Sequence, residues 1–179
     1  MKKTNIVLIL LLSMNLIHPS ATFAQEFPPK KTITMIVGFA AGGSADTGAR
    51  VIAKKLSENL GQSVVVENKP GAGGNIAHGA MANGPADGSM ILLGSIGPLT
   101  IAPHMMKINY DPVKDLAPLT MGMTFPNILV VTPNSGIKNL KEYVAQAKKG
   151  PGKITFASTG NGAASHLQGE LLNIQAGID

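Results

Sequence analysis

Residues 32–61 read TITMIVGFAAGGSADTGARVIAKKLSENLG, and their order decides the fold. The apolar, β-branched run 32–37 predicts a short strand. The glycine-rich segment 38–45 cannot continue that strand and reads as a loop. From Asp46 to Leu60 the apolar residues Ala49, Ile52, Ala53, Leu56 and Leu60 fall on one helical face, and Gly61 supplies a left-handed stop. Strand, glycine loop and helix in that order make the first half of a parallel βα repeat.

The unit recurs. Residues 63–67 (SVVVE) predict a strand, 68–74 (NKPGAGG) a second glycine loop, 75–82 a short helix and 90–93 a third strand. Between residues 95 and 126 the periodicity fades, leaving loops, short helical turns and a possible strand near Leu119. Residues 127–132 (NILVVT) then predict a strand, and 139–148 a helix with Asn139 as N-cap and Glu142 three residues on. Residues 154–157 predict one more strand, 158–164 (STGNGAA) a further glycine loop, and 165–176 an amphipathic helix. Strands alternating with helices predict an α/β fold with mainly parallel sheets, whose strand-to-helix loops lie at the carboxyl ends of the strands, where ligands bind. A strand is expected after residue 177, so the pattern implies an incomplete chain.

Met1, Lys2 and Lys3, an apolar run over 6–17 and small residues at 21–24 have the three parts of a secretory signal, cut after Ala24. About 155 residues (179 − 24) then remain, enough for one domain or two small lobes. Hydrophobic residues at 44% with charged residues at 14% exclude a disordered tail. Removing Lys2 and Lys3 lowers the formal charge from +5 to +3, and Arg50 is the single arginine. Without a basic stripe interleaved with aromatics, nucleic-acid binding is not supported. The absence of Cys excludes disulfides and thiolate chemistry.

A glycine turn that opens a helix presents backbone N–H groups backed by the helix dipole, which suits a phosphate or carboxylate. Three loops share this design: Gly42, Gly43 and Ser44; Gly71 to Asn75; and Ser158, Thr159, Gly160, Asn161 and Gly162 with Ser165. The hydroxyls of Ser44, Ser158, Thr159 and Ser165 add donors. Asp46 is either the first helix's N-cap or a ligand-facing group; the cap is favoured because a carboxylate repels an anionic ligand. No P-loop is present, and residues 160–165 fall one residue short of a dinucleotide fingerprint. Ser165 and His166 are adjacent and point to different helix faces, no G-x-S-x-G elbow exists, and His78, His104 and His166 are too scattered for a metal site. The residues therefore name no catalytic group, metal or cofactor. An exported α/β hydrolase or transferase acting on an anionic substrate is the alternative.

The segments 31–37 with 42–46, 64–76 (VVVENKPGAGGNI), 85–88, 110–116, 151–153 and 158–162 ahead of Ser165-His166-Leu167 resemble the extracytoplasmic solute receptors of the tripartite tricarboxylate transporter system, the Bug family. The resemblance runs in order along the chain after the signal. It implies a type II periplasmic binding-protein fold, a Venus flytrap of two lobes closing on a small carboxylate: a di- or tricarboxylate, an aromatic acid or an amino acid. The ligand is passed unchanged to membrane permease subunits, and the receptor is a periplasmic monomer without a cofactor. On this basis 1–24 is the signal peptide, 25–124 the first lobe and 125–179 the beginning of a second, incomplete lobe. The ligand-binding residues it implies are Phe39, Ala41, Gly42, Gly43, Ser44 and Asp46 for one carboxylate end, and Ser158, Thr159, Gly160, Asn161, Gly162 and Ser165 for the other. Gly73, Gly74, Asn75 and Ser95 line the same cleft. Two positions depart from the family pattern: Ala41 replaces a proline, and Ala163 replaces a Ser or Thr hydroxyl donor.

Overall fold

The computed structural model describes residues 31–179, so the signal sequence and its cleavage point lie outside the described residues. The first part of the chain forms β1 (Ile33–Val37), α1 (Ser44–Leu60), β2 (Val64–Asn68), a 3-10 turn (Ala72–Gly74), α2 (Asn75–Ala82) and β3 (Met90–Leu93). A π-helical turn (Gly97–Ile101) leads into the short α3 (Ala102–Met105). After a 3-10 turn (Pro133–Ser135) come α4 (Leu140–Lys149) and α5 (Ala164–Ala176).

The strands make one parallel sheet in the order β2-β1-β3, with Ile33 opposite Val64 and Thr34 opposite Met90. Parallel neighbours need crossover helices, and right-handed crossovers on either side of β1 place α1 and α2 on opposite faces. β1 is consequently covered from both sides, which explains why Ile33, Met35, Ile36 and Val37 are all buried. Ile33, Met35 and Val37 pack with Ala45, Ala49 and Ala53 of α1 and with Val64, while Ile36 points the other way and is fully buried. The alanines let α1 lie close to the sheet. Helix and strand are also joined through Ser57, whose hydroxyl donates to the Ala53 carbonyl at 2.9 Å and accepts the Val64 amide at 2.8 Å.

Local signals in the sequence appear where expected. Gly61 caps α1 in the left-handed region at φ 62°. The Asn139 side chain accepts the Glu142 amide at 3.0 Å, and the Glu142 carboxylate accepts the Lys138 amide at 2.7 Å. Three expected strands do not form. Residues near Leu119, 127–132 and 154–157 have no ladder partner among the described residues. Ile128, Leu129 and Val130 are at least half exposed. Their β-prone side chains are suited to a sheet interior, but a strand exists only when a neighbouring backbone accepts and donates its hydrogen bonds.

Candidate functional site

With the order β2-β1-β3, the chain leaves β1 toward one side and returns to the other, which opens a crevice at the carboxyl ends of β1 and β3. The loops after the three strands all end there. Gly38 follows β1 so closely under α2 that an added Cβ would lie 3.0 Å from Gly74 Cα and 3.3 Å from Ala77 Cβ. A Cβ on Gly74 would meet Ser95 Oγ at 3.3 Å and the Phe39 ring at 3.7 Å. The loop from the far end of the chain reaches the same place. A Cβ on Gly160 would meet Gly73 N at 2.8 Å, and one on Gly97 would meet Gly162 O at 2.9 Å and Ala163 Cα at 3.1 Å. Four loops far apart in the sequence, from Gly38 to Ala163, thus meet through glycine backbones.

The 71–74 turn achieves this with four successive residues at positive φ, 129°, 49°, 64° and 100°. Ala72 is the only non-glycine residue among those described with positive φ. The Asn75 side chain is buried and supports the turn: its amide donates to the Ala72 carbonyl at 2.6 Å, and its Oδ1 accepts the Tyr110 hydroxyl at 2.7 Å. The family resemblance implies that Asn75 lines the cleft, but both ends of its side chain have protein partners.

His78, too far in sequence from His104 and His166 to suggest a metal site, takes a structural place. It is fully buried on α2, one turn beyond Gly74. Its Nδ1 lies 2.9 Å from the Gly74 carbonyl and its Nε2 accepts the Ser95 amide at 3.2 Å. A carbonyl on one side and an N–H on the other require the neutral ring with its proton on Nδ1. Burial lowers the imidazole pKa, opposed by the Gly74 bond. His78 therefore ties the second loop to the third. Beside it, Ser95 Oγ is buried with no hydrogen-bond partner among the described residues.

Asp46 is 4% exposed and is not the N-cap; that position is Gly43, which makes no side-chain cap. The Asp46 carboxylate instead accepts the Gly42 amide at 2.9 Å, Arg50 Nε at 3.0 Å and Asn68 Nδ2 at 3.0 Å, and pairs with Arg50 Nη2 at 2.9 Å. The Arg50 bond, followed by the Gly42 amide, holds its pKa down at about 2 against the effect of burial. The only sequence signal for this pair is the Asp46-to-Arg50 spacing, one helical turn apart on α1.

Phe39 is half-buried, whereas Ala41, Gly42, Gly43 and Ser44 are exposed at the rim, and a Cβ on Gly42 would touch nothing. Ser158, Thr159 and Asn161 are also exposed. Several groups expected to face a ligand are engaged within their own loop. Ser165 Oγ accepts the Thr159 amide at 3.1 Å and lies 2.9 Å from Thr159 Oγ1; Ser158 Oγ accepts the Gly160 amide at 3.3 Å. The Gly162 amide donates to His166 Nδ1 at 3.4 Å. The amides of Ser44 and Ala45 at the start of α1, and of Ala164 and Ser165 at the start of α5, have no partner among the described hydrogen bonds. They are among the donors the fold leaves available to an anion. No three His, Asp or Glu side chains gather among the described residues, and no described helix is long and apolar enough to cross a membrane.

Known proteins share this architecture. The sequence profile of the tripartite tricarboxylate transporter family receptor matches residues 48–179. BugT of Bordetella pertussis is 39% identical over 160 residues, 88% of this chain and 49% of BugT. A solved periplasmic transporter is 36% identical with a TM-score of 0.77, covering 86% of this chain and 52% of its own. A protein from R. palustris solved with adipate is 31% identical at TM-score 0.77, over 86% and 52% of the two chains. MatC from Rhodopseudomonas palustris, solved with malate, is 30% identical at TM-score 0.75, over 84% and 52%. The chain spans about half the length of the curated relatives it matches.

Proposed function

The chain belongs to the tripartite tricarboxylate transporter receptor family, and from that membership we propose that it is a periplasmic solute receptor which captures a small carboxylate and passes it unchanged to membrane permease subunits. It is exported by the signal at 1–24, works as a monomer and is not an enzyme. Residues 25–124 form the first lobe and 125–179 belong to the second. Dicarboxylates head the ligand classes, because two relatives were solved with adipate and with malate.

The observation that carries this reading is the packing of Gly73 and Gly97 on the backbone at 160–163. It brings the 71–75, 94–98 and 158–165 loops to one point beside the buried, unpartnered Ser95 hydroxyl. One carboxylate binds at the exposed Gly42-Gly43-Ser44 turn, through the amides that open α1. The other binds at the start of α5, with Ser95 Oγ donating between them. Charge and size are read by amides and hydroxyls, so no metal or cofactor is needed.

The test is titration of the purified chain with adipate, malate, citrate, an aromatic acid and an amino acid, followed by calorimetry and thermal melting. Saturable binding should raise stability by about 2.7 kcal/mol at a hundredfold excess over Kd, and the ligand should be recovered unaltered. Binding by none of the panel, or conversion of the ligand, would remove the receptor assignment.

A further inference from the structure

A carboxylate in the first turn of α1 is at odds with an anion site at that helix's start, yet Asp46 occupies that turn and is nearly buried. Its surroundings resolve the conflict. Oδ2 accepts the Gly42 amide and Arg50 Nε; Oδ1 accepts Asn68 Nδ2 and pairs with Arg50 Nη2. All the accepting directions of the carboxylate are occupied, and its charge is matched by the one arginine in the chain. Asn68, the last residue of β2, completes the arrangement. Its Nδ2 also donates to the Phe39 carbonyl at 3.0 Å, and its Oδ1 accepts Arg50 Nη2 at 3.3 Å. The 39–42 loop is therefore held at both ends, by its Phe39 carbonyl and its Gly42 amide, to a cluster with no net charge.

We propose that Asp46, Arg50 and Asn68 form a neutral clasp that fixes the 39–43 loop in its ligand-receiving shape and cancels the Asp46 charge, so that Arg50 is a positioning residue for anion selectivity and not a ligand contact. The functional half rests on the carboxylate-receptor reading; the loop-holding half stands on geometry alone. Removing only Arg50 leaves an uncompensated carboxylate near the helix start where the ligand anion binds, and removing both charges restores neutrality.

Two measurements on the whole chain separate these halves. In amide hydrogen exchange by NMR, the Gly42 N–H should exchange at least about tenfold more slowly than that of Gly136, an exposed turn glycine whose amide has no described partner. Equal rates would overturn the clasp without any variant having to fold. In adipate and malate titrations, Arg50→Gln should weaken binding about tenfold. The double variant Asp46→Asn, Arg50→Gln should return to within about threefold of the parent. A double variant as weak as Arg50→Gln alone would overturn the positioning role, since Arg50 would then act on the ligand itself. If the parent binds neither probe while Gly42 is protected, the receptor reading fails and the clasp is upheld as loop support.

Discussion

Gly160→Ala tests whether the first and last parts of the chain meet at the site. Gly160 has φ 130°, and an added Cβ would lie 2.8 Å from Gly73 N and 2.9 Å from Gly73 Cα, both backbone atoms. Ordinary contact begins near 3.4 Å, so the loops must part by at least 0.6 Å (3.4 − 2.8). Such overpacking costs about 1–3 kcal/mol, and the unfavourable φ adds about 1–3 kcal/mol. Gly136→Ala is the control: its φ is 75°, but a Cβ there would meet nothing within 4 Å. Both substitutions reduce the entropy of the unfolded chain equally, so that contribution cancels in the comparison. Urea unfolding should therefore show Gly160→Ala less stable than Gly136→Ala by about 1–3 kcal/mol, with adipate and malate binding weakened only in the former. Equal losses of stability would refute the contact between the 158–162 and 71–75 loops, and with it the assembled site.

His78 is bonded as a neutral ring, and its folded pKa lies below the ordinary value. As pH falls below about 6.5 the unfolded chain takes up the proton first, so stability drops until the folded value is reached, by at most about 1.4 kcal/mol per pH unit. His78→Gln should flatten urea-midpoint curves in that interval, and an unchanged slope would exclude His78 as the cause. Ser95→Ala removes a buried hydroxyl that has no partner among the described residues, so unliganded stability should hold or rise. Carboxylate binding measured by calorimetry should fall by about 1.5–3 kcal/mol if the hydroxyl donates to the ligand. Tyr110→Phe removes the donor to Asn75 Oδ1 and to the Pro98 carbonyl, and should lower the unfolding free energy by about 1–3 kcal/mol.

Much of the first half of the fold was legible in the sequence by itself. β3 falls on the expected residues, and the bounds of β1, β2, α1, α2, α4 and α5 lie within two residues of expectation. The Gly61 stop and the Asn139 cap are equally local, because each depends on atoms within one helical turn. Glycine loops at the carboxyl ends of strands were also readable, as was their suitability for an anion. Tertiary structure decided the rest. It withheld strands from 127–132 and 154–157, since a ladder needs a partner segment that local sequence cannot specify. It turned Asp46 from a cap into half of an ion pair anchored on Asn68, 22 positions away, and made His78 the bridge from Gly74 to Ser95. Helices, caps and turns are settled by neighbours in sequence, whereas burial, charge compensation and loop meeting depend on which distant segments the folded chain brings together.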